Sequence, residues 1–133
     1  MNNTVCLCGS TKFLGDFEEA NRQLSKRGLT VITLSMCLPK NEQGNEEEAA
    51  LKELLDLVHF NKILRSDAIF IVGDGYIGRS TSREILWAEM QGKPIICHTD
   101  THSWGNAVHC IKTGYWNPAI ISKAKEKLGL ELP

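Results

Sequence analysis

Four short runs constrain this chain more than anything else in it: TVCLC at 4–8, LTVITL at 29–34, DAIFIV at 67–72 and KPIICH at 93–98. They are close to continuously apolar and rich in Val and Ile. A strand that reads apolar at every position, not every second one, is buried on both sides. Between the runs the apolar spacing changes to that of helices. From 11 to 27, Phe13, Phe17, Ala20 and Leu24 recur at helical intervals, and Gly28 supplies a stop. From 46 to 64, Ala50, Leu54, Leu57, Val58 and Leu64 do the same, behind Glu46, Glu47 and Glu48, which complement a helix dipole. A third helix is predicted over 81–91, ended by Gly92, and a fourth over 118–128, with Pro118 at its start. Segment 39–45 reads as a polar loop, and 99–117 has no clear assignment. Strands alternating with helices predict an α/β fold: a doubly wound parallel sheet of four to five strands with helices on both faces.

The 133 residues suffice for one core and are too few for two, so a single domain over 1–133 is expected. A net charge of -1 argues against a general nucleic-acid or anionic-membrane binder. No apolar run approaches a membrane span, and a strand-like segment beginning at Thr4 leaves no room for a signal peptide. Five cysteines without a C-x-x-C pair, with Cys6, Cys8, Cys37 and Cys97 in or beside apolar runs, suggest buried reduced thiols and a cytoplasmic protein. His98, His102, His109 and Cys110 cluster in no standard ligand spacing, so no metal and no cofactor are expected.

In a doubly wound sheet, ligands bind beyond the carboxyl ends of the strands, where the strand order switches. Those ends carry Gly9-Ser10-Thr11 after Cys8, Ser35-Met36-Cys37, the segment 73–82, and His98-Thr99-Asp100. The segment 73–78, GDGYIG, fits G-x-G-x-x-G, with Asp100 as a ribose-binding acid; it also reads as a tight loop needing glycines. Ser80, Thr81 and Ser82 open a helix whose N–H groups and hydroxyls can hold a phosphate or sugar, or simply cap it. Two readings of Glu84 stay open. Thr81-Ser82-Arg83-Glu84 fits an S/T-x-x-E capping box. A carboxylate at the cleft can equally be a nucleophile at an anomeric carbon. His59 lies among apolar residues, as a packed side chain or a proton carrier. Asp67 reads as a helix cap, Asp74 as a better cleft candidate, and Tyr76 as a cover for the loop or for a base.

Taken in order, VCLCGST at 5–11, LRSDAIFIV at 64–72, GYIG at 75–78 with STSREI at 80–85, and GKPI at 92–95 resemble the nucleoside 2-deoxyribosyltransferase-like superfamily, which includes the 2'-deoxynucleoside 5'-monophosphate N-glycosidases. The resemblance implies a flavodoxin-like fold, a homodimer or higher homo-oligomer, and a small-molecule nucleoside or nucleotide substrate. It implies Glu84 as nucleophile at C1', His59 or Asp74 for protons, and Cys8, Gly9, Ser10, Gly75, Tyr76, Gly78, Ser80 and Ser82 around the sugar and phosphate. Where family members often carry an aspartate, eight residues before Asp67, this chain has His59. Residues 99–133 lie outside the resemblance; by family habit they build a dimer interface or lend a residue such as Asn117 to a neighbour's pocket.

Overall fold

The computed structural model describes residues 3–35 and 46–130. The expected strand end at Met36 and Cys37 and the loop over 39–45 lie outside the described residues.

The alternation holds. Strand β1 (Thr4–Cys8) leads through a 3-10 turn (Thr11–Phe13) into helix α1 (Leu14–Lys26) and strand β2 (Thr30–Ile32). Helix α2 (Glu46–Leu64), strand β3 (Ala68–Ile71), helix α3 (Arg79–Met90) and strand β4 (Ile95–Cys97) follow, and α4 (Trp104–Thr113) and α5 (Pro118–Lys127) close the chain. The sheet is wholly parallel, in the order β2-β1-β3-β4. The chain leaves β1 for β2 on one side and returns to β3 on the other, so the switch point lies between β1 and β3. This is the doubly wound α/β fold.

Its two layers follow from the period of two along each strand. Val5, Leu7, Ala68, Phe70, Val72 and Ile96 point to one face, under Phe17, Ala20 and Leu24 of α1 and Ala107 and Ile111 of α4. Cys6, Cys8, Ile69, Ile71, Ile95 and Cys97 point to the other, under Ile63 of α2, Ile85 and Ala88 of α3, and Ile120, Ile121 and Ala124 of α5. Each large side chain fully buried here contributes about 1.5–3 kcal/mol.

Several local expectations change. β2 spans three residues, not the six of 29–34. The helix predicted from 11 begins as a 3-10 turn, because the Ser10 side chain accepts the Lys12 N–H and its carbonyl accepts the Phe13 N–H. On α2 the expected stripe is largely solvent-facing: Leu54, Leu57 and Leu64 are exposed, while His59 and Ile63 face the sheet. Helix α3 starts at Arg79, with Gly78 as its N-cap, two residues before the predicted start. Within 99–117 lies all of α4, capped by the Ser103 hydroxyl and ended by Gly114 at φ 78°. Asp67 does not cap α2; its carboxylate accepts the N–H groups of Asn3 and Thr4 at 3.1 and 3.0 Å and pins the start of β1 to β3.

No helix among the described residues is long and apolar enough to cross a membrane.

Candidate active site

The earlier start of α3 removes the capping-box reading of Glu84. Counting from Arg79, Glu84 is the sixth helical residue, and Thr81 sits inside the first turn. A capping box needs its hydroxyl residue at the N-cap and its glutamate three places on. Neither condition is met. Glu84 instead lies on the stripe Thr81, Glu84, Ile85 and Ala88 that faces the core. A carboxylate occupies a position where helix geometry calls for an apolar side chain.

His59 is placed in the same way on α2, four residues before the fully buried Ile63. The two helices are held side by side: the indole N–H of Trp87 donates to the Phe60 carbonyl at 3.2 Å, and the two rings lie 5.7 Å apart. The Lys62 ammonium anchors α2 beyond β2, donating to the Thr33 carbonyl at 2.8 Å and the Ser35 hydroxyl at 3.1 Å. His59 Nε2 then lies 3.8 Å from Glu84 Oε1, 3.5 Å from Cys8 Sγ and 3.7 Å from Cys6 Sγ. Four reactive side chains meet beneath the carboxyl end of β1, beside the switch point.

Burial sets the direction of the shift at Glu84 and Cys8, and contacts within the cluster set it at His59 and Cys6. Burial pushes the Glu84 carboxyl up to about 7; the His59 charge opposes this, and the charges of Cys6 and Asp56 add to it. Burial also pulls His59 down, but its contact with Cys6 and the Glu84 charge outweigh that, and on balance it is raised. The Cys8 thiol is pushed well up, first by burial and then by Cys6. Cys6 is lowered to about 6, chiefly by the hydrogen bond from Cys8, against burial and with help from His59. Glu84 therefore titrates near neutrality, where a group can exchange a proton or take up charge at little cost, and the imidazole beside it is shifted up from its ordinary value.

The two strand-end turns do lie together. Val72 N–H donates to the Cys8 carbonyl at 2.9 Å, so Gly9 and Gly73 leave the sheet as neighbours. Both need to be glycine. Gly9 has φ 147° and a Cβ there would meet Val72 at 2.9 Å; Gly73 has φ 106° and a Cβ would meet the Phe13 ring at 2.8 Å. Gly75 also has positive φ, whereas Gly78 does not. The G-x-G-x-x-G pattern here is a tight turn. The dinucleotide reading loses its acid as well, since the Asp100 carboxylate accepts the Cys97 N–H and the Asn117 amide. Asn117 itself caps α5 through the Ile120 N–H and is buried.

The remaining predicted residues divide. Tyr76 covers the loop: its ring packs edge-on to Phe13, with the Lys12 ammonium 3.6 Å from its centroid. Asp74 is exposed, and its carboxylate accepts the Tyr76 N–H, a turn contact within its own loop. The Ser82 hydroxyl is buried and donates to the Gly78 carbonyl at 2.8 Å. Ser80 is half-exposed in the first turn of α3. A surface depression beside the loop is lined by Tyr76, Ile77, Lys123, Glu126 and Lys127, and not by His59 or Glu84. Cys6 was not among the predicted site residues. C-x-C on a buried strand is the signal for it, because both thiols must point to one face.

No protein-family model matches the chain, and no curated protein matches it. Among solved structures it is similar to a CMP N-glycosidase of Clostridium botulinum, BcmB, with 19% identity and a TM-score of 0.45 over 84% of this chain and 82% of that one.

Proposed function

We propose that this protein cleaves or transfers at the N-glycosidic bond of a nucleoside or nucleoside 5'-monophosphate, with Glu84 as the nucleophile. The observation that carries the reading is the Glu84–His59 pair: a carboxylate on the core stripe of α3 with no capping role, 3.8 Å from an imidazole, at the switch point. The order of motifs resembling the deoxyribosyltransferase-like enzymes supports it.

In this mechanism the ionised Glu84 carboxylate attacks C1' as the C1'–N bond breaks. Negative charge beside the anomeric carbon stabilises the oxocarbenium-like transition state. The departing base takes a proton from His59, whose charged form, penalised by burial, is favoured on balance by its contact with Cys6 and by the Glu84 charge. Water or a second base then attacks C1' of the glycosyl ester and frees the carboxylate. The open N–H groups and the Ser80 hydroxyl at the start of α3 receive a 5'-phosphate or sugar hydroxyl. His59 is preferred to Asp74 for the proton because the exposed Asp74 carboxylate accepts the Tyr76 N–H of its own loop, whereas His59 lies beside Glu84.

The test is incubation with deoxynucleosides, ribonucleosides and their 5'-monophosphates, with Glu84→Gln in parallel and free base read by chromatography. Release by wild type, reduced on the order of 10³-fold or more in Glu84→Gln, is expected. Tight nucleotide binding without release, unchanged in Glu84→Gln, would instead mark a nucleotide-binding protein on the same fold.

A further inference from the structure

Proton transfer uses one of three donors that share this corner of the core. Cys6 and Cys8, both fully buried, aim their thiols at the same imidazole nitrogen of His59. The two Sγ atoms and Nε2 all lie within 4.8 Å of one another. Around a tetrahedral zinc ion, with sulfur at about 2.3 Å and nitrogen at about 2.05 Å, neighbouring S and N ligands stand about 3.6 Å apart. The observed separations are 3.5 and 3.7 Å. Both S···N separations thus match the edges of such a tetrahedron.

We propose that Cys6, Cys8 and His59 form a binding site for a thiophilic divalent cation of the zinc class. Two thiolates and an imidazole from two packed elements make a rigid set that selects such an ion over hard, oxygen-seeking cations. Each thiol loses its proton to solvent as its sulfur becomes a ligand. The fourth position faces Glu84, whose carboxylate oxygen lies 3.8 Å from Nε2. It is filled by that carboxylate or by water. Entry is from the same side, where His59 and Glu84 retain 6% and 9% exposure while both cysteines have none. The site stands independently of the glycosidase reading. Where that reading holds, a bound ion occupies the His59 nitrogen needed for proton transfer, so zinc inhibits base release.

The experiment titrates reduced, metal-free protein with Co²⁺ alone and follows the visible and near-ultraviolet spectrum, then adds Zn²⁺. Expected are the intense d–d bands of tetrahedral cobalt and a thiolate charge-transfer band, saturating at one equivalent and displaced by zinc. Cys6→Ser and Cys8→Ser each weaken binding by at least about 100-fold, the upper end of what loss of a mere supporting group costs. Cys110→Ser, on α4 against the opposite face, leaves it unchanged. A weak octahedral cobalt spectrum in the folded wild type, or tetrahedral bands that survive both serine variants, would overturn the proposal. The wild-type spectrum decides even if a variant fails to fold. Base release measured in chelator separates the two readings: release without cobalt bands sinks the metal site alone, and bands without release sink the catalytic reading alone.

Discussion

Strand β1 has two faces that obey opposite rules. Val5 and Leu7 look toward α1 and α4, into a layer built from Phe17, Leu24, Phe70 and Ile111. One residue out of phase, Cys6 and Cys8 look toward α2 and α3 and meet His59 and Glu84. Both layers exclude solvent from the strand, whose residues 5–8 are fully buried. The first uses burial for cohesion; the second uses it to hold ionisable groups away from water, where their charges interact strongly and their pKa values move. In a parallel sheet with both faces covered, a site does not need a cleft cut into the core. It needs one face whose side chains are chemically different.

The sharpest way to break this comparison is to cut into the cohesive face. Phe70→Ala should cost about 3–5 kcal/mol in denaturant unfolding, as a large buried ring leaves a cavity. A loss below about 1 kcal/mol would mean that this layer is not the main support. The opposite sign is expected across the sheet. The Glu84 carboxyl is held at about 7 when folded, above its ordinary 4.5, so the folded state favours the protonated form. That contribution is complete below pH 4.5 and is lost as pH rises through 7; raised His59 acts in the same direction. Glu84→Gln, neutral at every pH, should therefore match wild type near pH 4 and exceed its stability by about 3 kcal/mol at pH 8. Equal stability at both pH values would remove the burial argument. Between the faces, Gly73→Ala forces a side chain into a positive-φ position against Phe13. It should cost about 1–3 kcal/mol in thermal or chemical unfolding. The smallest effect is expected for Asp74→Asn. An amide oxygen still accepts the Tyr76 N–H, so stability should change by less than about 0.5 kcal/mol. A large loss of base release in that variant would return Asp74 to the chemistry.

The sheet was legible in the sequence because apolar runs of four to six residues leave few alternatives. The faces of the helices were less so. Helix α2 carries leucines around much of its circumference, so apolar spacing alone admits more than one stripe, and a histidine is not an obvious core residue. Only packing against β1 selects the stripe of His59 and Ile63 over that of Leu54 and Leu57. Helix α3 was misplaced because Ser80, Thr81 and Ser82 resemble caps; the chain instead turns at Gly78, and the hydroxyls fall inside the helix. That shift of two residues carried Glu84 from a plausible cap to the core stripe. Helix α4 had a usable signal that composition hid: Trp104, Ala107, Val108 and Ile111 stand at i, i+3, i+4 and i+7. Cys8 stands at a strand end where the fold places ligands, but its convergence with Cys6 on His59 depends on a contact 51 residues away in the chain, which no local pattern contains.

The claim beneath all of this is that Glu84 is a buried, chemically poised carboxylate and not a helix cap. Its most direct test is a carbon-13 NMR titration of the Glu84 carboxyl in reduced, metal-free protein, assigned by Glu84→Gln. The account predicts a midpoint near 7 that is perturbed when His59 is replaced by glutamine. A midpoint at or below 4.5, indifferent to His59, would describe a solvated carboxylate at a helix start and would contradict it.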